Sequence, residues 1–75
     1  MRYSFKTLSG STYTIDLEKM RWSRRSDHKL IGSEIEEGEL SSIPRIIIGE
    51  SAFLDMPDGT WVRTTPVTEL LTVHD

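Results

Sequence analysis

The alternation of apolar and polar residues on either side of Ser9-Gly10-Ser11 constrains this chain more than any other feature of it. Tyr3, Phe5 and Thr7 recur at every second position, and so do Tyr13, Ile15 and Leu17. A repeat of two puts each set on one face of a β-strand. Two strands, over residues 2–8 and 12–17, joined by a tight turn, make a hairpin. Both apolar sets are odd-numbered, so directly opposed residues must sum to an even number. A three-residue loop over Ser9-Gly10-Ser11 satisfies this and predicts Phe5 opposite Ile15 and Tyr3 opposite Leu17. A two-residue Ser-Gly turn would set Phe5 against Thr14, on the wrong face.

Turn signals continue along the chain, with glycines at 10, 32, 38, 49 and 59. Spacing of about ten residues suits a small barrel or sandwich. A third strand over residues 20–25 follows a turn at Glu18-Lys19 and pairs Ile15 with Trp22, Leu17 with Met20, and Asp16 with Arg21. Because Leu17, Met20, Arg21 and Arg24 also fall at helical spacing, a short helix over residues 16–25 is the competing reading. Residues 26–43, with two glycines and few apolar anchors, read as a mobile loop with room for one short strand near residues 39–42. Pro44 opens a buried strand over residues 45–48, followed by one over residues 52–56. Pro57-Asp58-Gly59 is the clearest hairpin signal in the chain. A two-residue Asp58-Gly59 loop pairs Met56 with Trp61 and Leu54 with Arg63. A strand over residues 60–64 follows, and Pro66 then interrupts the ladder. Residues 67–73 close the fold as an edge strand, with a helix begun by Pro66 as the alternative. The expected core is Phe5, Tyr13, Ile15, Trp22, Ile46, Ile48, Leu54, Trp61 and Val67.

Composition agrees with this pattern. Ile, Val and Thr number 18 of 75 residues, against a single alanine, a palette that favours pleated strands. The expected fold is all-β: one domain over residues 1–75, a barrel or sandwich of about six antiparallel strands, SH3-like or OB-like in size. There is no cysteine, which removes disulfides, thiolate metal sites and a thiol nucleophile. A chain this short buries only about 60% of its unfolded surface, so its core is marginal and leans on packing or on a partner. The longest apolar run, Ile46-Ile47-Ile48, is far shorter than a membrane span. The expectation is a cytoplasmic protein with no membrane partner.

The stretches FKTLSGSTYTIDLEKMRW and GTWVRTTPVTEL resemble the two ends of small uncharacterised proteins of bacteria, especially actinobacteria, and of tailed phages. The shared patterns are T-x-S-G-S-x-Y-x-I-D near the start and R-T-[TS]-P-V near the end. The likeness covers roughly 30 residues and leaves residues 24–50 unmatched. It implies an all-β fold and a phage or prophage origin, hence the bacterial host cytoplasm, and it brings no activity with it.

Candidate chemistry is sparse. The two histidines, His28 and His74, are far apart and accompany no Ser/His/Asp spacing, nucleophile elbow or phosphate loop. No enzyme, metal or cofactor is expected. Charge is more informative. Lys19, Arg21, Arg24, Arg25 and Lys29 place five of the nine cations within eleven residues, around Trp22 and His28. Basic side chains beside an aromatic can track phosphates and stack bases. Against that, the net charge is −3, and the chain has neither Asn nor Gln for bidentate reading of adenine. Glu34, Glu36, Glu37 and Glu39 follow directly as an acidic stretch. The two clusters form a dipolar surface that steers a protein partner, or they neutralise each other if the acidic stretch folds back on the basic strand. The leading expectation is a non-enzymatic protein-interaction module that binds a host or phage protein through Arg21, Arg24, Arg25, His28 and Lys29, with the Glu34–Glu39 stretch as a second surface. A weak nucleic-acid-binding module using residues 19–29 is the alternative. A homo-oligomer formed through exposed strand edges is a third.

Overall fold

The computed structural model describes residues 1–26 and 35–71. Six strands follow in chain order: β1 (Arg2–Thr7), β2 (Ser11–Asp16), β3 (Arg21–Ser26), β4 (Ile35–Glu39), β5 (Ser51–Asp55) and β6 (Trp61–Leu70). They form one antiparallel sheet in the order β4-β3-β2-β1-β6-β5, curled into a half-barrel. Among the described residues there is no helix, so the helical alternatives for residues 16–25 and for the start of the last segment fall away.

The first hairpin keeps the expected face but not the expected partners. Tyr3 lies opposite Ile15 and Phe5 opposite Tyr13. The loop is three residues long, as expected, but it is Leu8-Ser9-Gly10. Gly10 adopts φ +86°, and its N–H donates to the Thr7 carbonyl at 3.0 Å. A type I turn closed by a left-handed glycine has this form. The left-handed site must fall on the glycine, which moves the loop back by one residue and slides the register by two.

The third strand pairs as expected, with Ile15 against Trp22 and Asp16 against Arg21. The turn before it is longer than Glu18-Lys19. Leu17 to Met20 form a four-residue connection, in which the Asp16 carboxylate accepts the Glu18 and Lys19 N–H groups at 3.0 and 3.1 Å. Leu17 and Met20 are therefore turn residues, half-buried against the core.

Residues 26–43 are not one loop. Their described part contains β4, which pairs along β3 from Arg25↔Ile35 to Arg21↔Glu39. The strand lies earlier than the expected short strand near residues 39–42. Along the pairing Glu36 and Glu39 stand opposite Arg24 and Arg21, and Gly38 stands opposite Trp22.

The expected buried strand over residues 45–48 is also absent. This stretch makes one parallel bridge, Ile48 to Val67, and Ile48 is 59% exposed. Instead, Pro44 is buried and Ile46 packs partly against the core.

In the last hairpin the loop is Pro57-Asp58-Gly59, with Gly59 at φ +88° and its N–H donating to the Met56 carbonyl at 3.0 Å. Leu54 pairs with Val62 and Asp55 with Trp61. This is one residue away from the expected register, so Trp61 turns outward.

β6 is not an edge, since it runs between β1 and β5 and carries Pro66 inside it. Two irregularities make this possible. Thr64 and Thr65 together oppose Ala52, whose N–H bonds the Thr64 hydroxyl oxygen at 2.9 Å. A second register shift occurs where β6 meets β1 at Lys6/Thr7. Bulges of this kind bend a strand and accommodate a proline that has no N–H to donate.

The core lies in the concave face: Phe5, Tyr13, Ile15, Trp22, Leu40, Ala52, Leu54 and Val67 are buried. Six of the nine expected core residues are among these, and Ile46 is half-buried. Ile48 and Trp61 are the two exposed exceptions, while Leu40 and Ala52 were not expected. Phe5 stacks on Tyr13 with ring centroids 5.2 Å apart, and Tyr13 meets Trp22 at 6.4 Å. This aromatic row crosses three strands and ties the first half of the sheet together.

Candidate functional site

The basic cluster is divided by the pleat. On β3, Trp22 and Arg24 face the concave side, while Arg21, Ser23 and Arg25 face the convex side, because side chains alternate along a strand. His28, Lys29 and Glu34 lie outside the described residues.

Arg24 stands opposite Tyr13 on one side and Glu36 on the other. Its Nε donates to Ser11 Oγ at 3.0 Å, and its Nη1 meets Glu36 Oε2 at 3.3 Å. Arg24 thus closes the open end of the aromatic row. Burial pushes the Tyr13 hydroxyl above the ordinary tyrosine value, and the Arg24 charge pulls the other way.

On the convex side one row across four strands reads Arg2, Asp16, Arg21, Glu39. Charges alternate along it, and Arg21 meets Glu39 at 3.7 Å. The next row, Ser4, Thr14, Ser23, Glu37, carries hydroxyls joined by a 2.9 Å bond between Ser4 and Thr14. Of the two readings the sequence left open, neutralisation is the one seen here: the acidic stretch folds back on the basic strand, and Glu36 and Glu39 match Arg24 and Arg21 strand against strand. Exposed pairs of this kind contribute about 0–1 kcal/mol each, but they cancel the local field that a phosphate backbone needs. Of the three arginines of β3, Arg25 alone has no carboxylate partner among the described residues, and it stands opposite Ile35.

The opposite end of the sheet presents a different surface, which includes Trp61, a residue that sequence reasoning placed in the core. On the outer face of the β5–β6 hairpin, Phe53 is 49% exposed and Trp61 59% exposed. Their rings lie 5.7 Å apart at an interplanar angle of 54°. They are diagonal neighbours, with Arg63 opposite Phe53 and Asp55 opposite Trp61. The signal that could have turned Trp61 outward is the Pro57-Asp58-Gly59 loop, read as three residues rather than two.

No group of three metal-ligating side chains occurs among the described residues, and no described helix is long and apolar enough to cross a membrane. Comparison with known proteins finds no matching family model, curated protein or solved structure.

Proposed function

We propose that the chain is a non-enzymatic interaction module that docks a protein partner on Phe53, Trp61 and Arg63. The observation that carries this reading is the pair of large aromatic side chains, in mutual contact and 49% and 59% exposed on the β5–β6 hairpin. Trp and Arg are enriched among residues that dominate binding energy, and aromatic rings on a rigid strand pair need little further ordering. Arg63 and Asp55 flank the rings with opposite charges, which suits a protein surface better than a phosphate backbone. The resemblance of the chain ends to small phage and actinobacterial proteins supports a phage or prophage setting, with a host or phage protein as partner.

The test is paired capture from bacterial lysate, using the wild-type chain and the Phe53→Ser/Trp61→Ser variant. A partner retained by the first and lost by the second, with both chains equally folded, is the expected result. Identical captures would refute this surface. Binding to a labelled oligonucleotide that weakens with salt, and is lost on reversing Arg21, Arg25 and Lys29, would transfer the function to nucleic acid.

A further inference from the structure

The half-barrel is closed at one corner and open above it. Leu40 N–H donates to the Met20 carbonyl at 2.7 Å, toward β3. Backbone groups alternate in direction along an antiparallel strand, so those of Ile35, Glu37 and Glu39 point away from β3. Ser41 continues the same alternation, and its N–H donates across the opening to the Asp55 carbonyl of β5 at 2.9 Å. That bond is the single described backbone link between the two ends of the sheet. Along Glu37 and Glu39 the outward N–H and C=O groups have no partner among the described residues. Beside the closed corner lies a cleft of about 260 Å³ lined by Glu39, Met56, Pro57 and Asp58.

We propose that this seam accepts an extended basic segment of a partner protein, which adds to β4 as a seventh strand. The unpaired edge supplies the hydrogen bonds of strand addition, a recurring mode of peptide recognition. The side chains decide the occupant. Glu37 has no ion-pair partner among the described residues, and Glu36 and Glu39, paired inward with Arg24 and Arg21, border the same edge, so pairing with β4 of a second copy would add carboxylates with no new cation to meet them. A strand with Lys or Arg at alternate positions meets them with complementary charge. The cleft fits one such side chain, with Met56 and Pro57 along the aliphatic stem and Glu39 and Asp58 at the charged head. Neither Phe53 nor Trp61 lines this cleft, and the proposal stands without them.

The probe is a short blocked peptide of alternating arginine and valine, followed by amide hydrogen exchange at Glu37 and Glu39. Expected at saturation is at least tenfold slower exchange at both amides. Methylating alternate backbone nitrogens of the peptide should abolish binding for the set that faces the edge and spare it for the other set. Glu37→Gln/Glu39→Gln should weaken binding several-fold, and Phe53→Ser/Trp61→Ser should leave it unchanged. Unaltered exchange, equal binding of both methylated peptides, or equal binding of a glutamate–valine peptide would overturn the proposal. So would the same protection arising without peptide as concentration rises, which would assign the seam to a second copy.

Discussion

Gly38→Ala tests the packing of the β3–β4 pair most directly. Gly38 lies directly opposite Trp22, and the indole, 5% exposed, covers it. A methyl group built on Gly38 would stand 2.8 Å from Trp22 Nε1, 3.1 Å from Cε2 and 3.3 Å from Cζ2. Gly38 is not among the glycines with positive φ, so backbone strain adds nothing to the cost. In an unobstructed strand, alanine would instead stabilise by about 0.5–1 kcal/mol through its smaller unfolded-state entropy. Overpacking a core of this kind costs about 1–3 kcal/mol, and the net expectation is a loss of about 1–2 kcal/mol. A chain of 75 residues has on the order of 4–11 kcal/mol to lose. For a domain of this size the loss lowers the melting temperature by roughly 4–16 °C, which circular dichroism resolves. The same substitution in a Trp22→Phe background isolates the cause, because the shorter ring withdraws from the glycine. There the penalty should fall by at least about 1 kcal/mol, a coupling within the range for contacting residues. An equal penalty in both backgrounds, or none in the wild type, would refute the argument.

Ile15→Ala, at a fully buried site paired to Trp22, should cost about 2–5 kcal/mol in urea denaturation. Gly59→Ala meets no atom within 4 Å, so its cost should be the left-handed backbone alone, about 1–2 kcal/mol, with Gly59→Asn cheaper; equal melting temperatures for the two variants would contradict this. Arg24→Glu removes the bond to Ser11 and faces Glu36 with a like charge, so it should destabilise by about 1–2 kcal/mol, whereas Arg25→Glu should stay within about 0.5 kcal/mol. The Asp16 carboxyl is held below the usual aspartate range, first by the Lys19 N–H, and the Asp58 carboxyl by the Thr60 hydroxyl and N–H. A lowered folded-state pKa stabilises above the unfolded value of about 4 and is lost as pH falls through the folded one. Thermal melts should therefore decline below about pH 4, and less steeply for Asp16→Asn, which keeps an oxygen to accept the turn N–H groups.

Strand content, the concave face of β1 and β2, and the pairing of β3 were legible because a two-residue period and the sign of the charges act locally. Where the reading failed, one geometric element accounts for two of the differences. Both glycine hairpins close on three residues with the glycine last and left-handed, Leu8-Ser9-Gly10 and Pro57-Asp58-Gly59. In the first, the expected loop already had three residues, so the register slid by two and every side chain kept its face. In the second, a two-residue loop was expected, so the shift was one, and Trp61 moved from the core to the surface beside Phe53. Asp58 explains the choice of the longer loop. Its carboxylate accepts both the N–H and the hydroxyl of Thr60, which fixes Thr60 as the first residue after the turn. A further difference has another origin. Glu36 and Glu39 look solvated in the sequence, and only pairing across β3 and β4 shows them opposite Arg24 and Arg21. Charge runs of opposite sign, joined by a connection long enough to reverse the chain, can be read as two facing strands. Read that way, the acidic run leaves its own outer edge as the unpaired border of the sheet, and its carboxylates decide which strand could join it there.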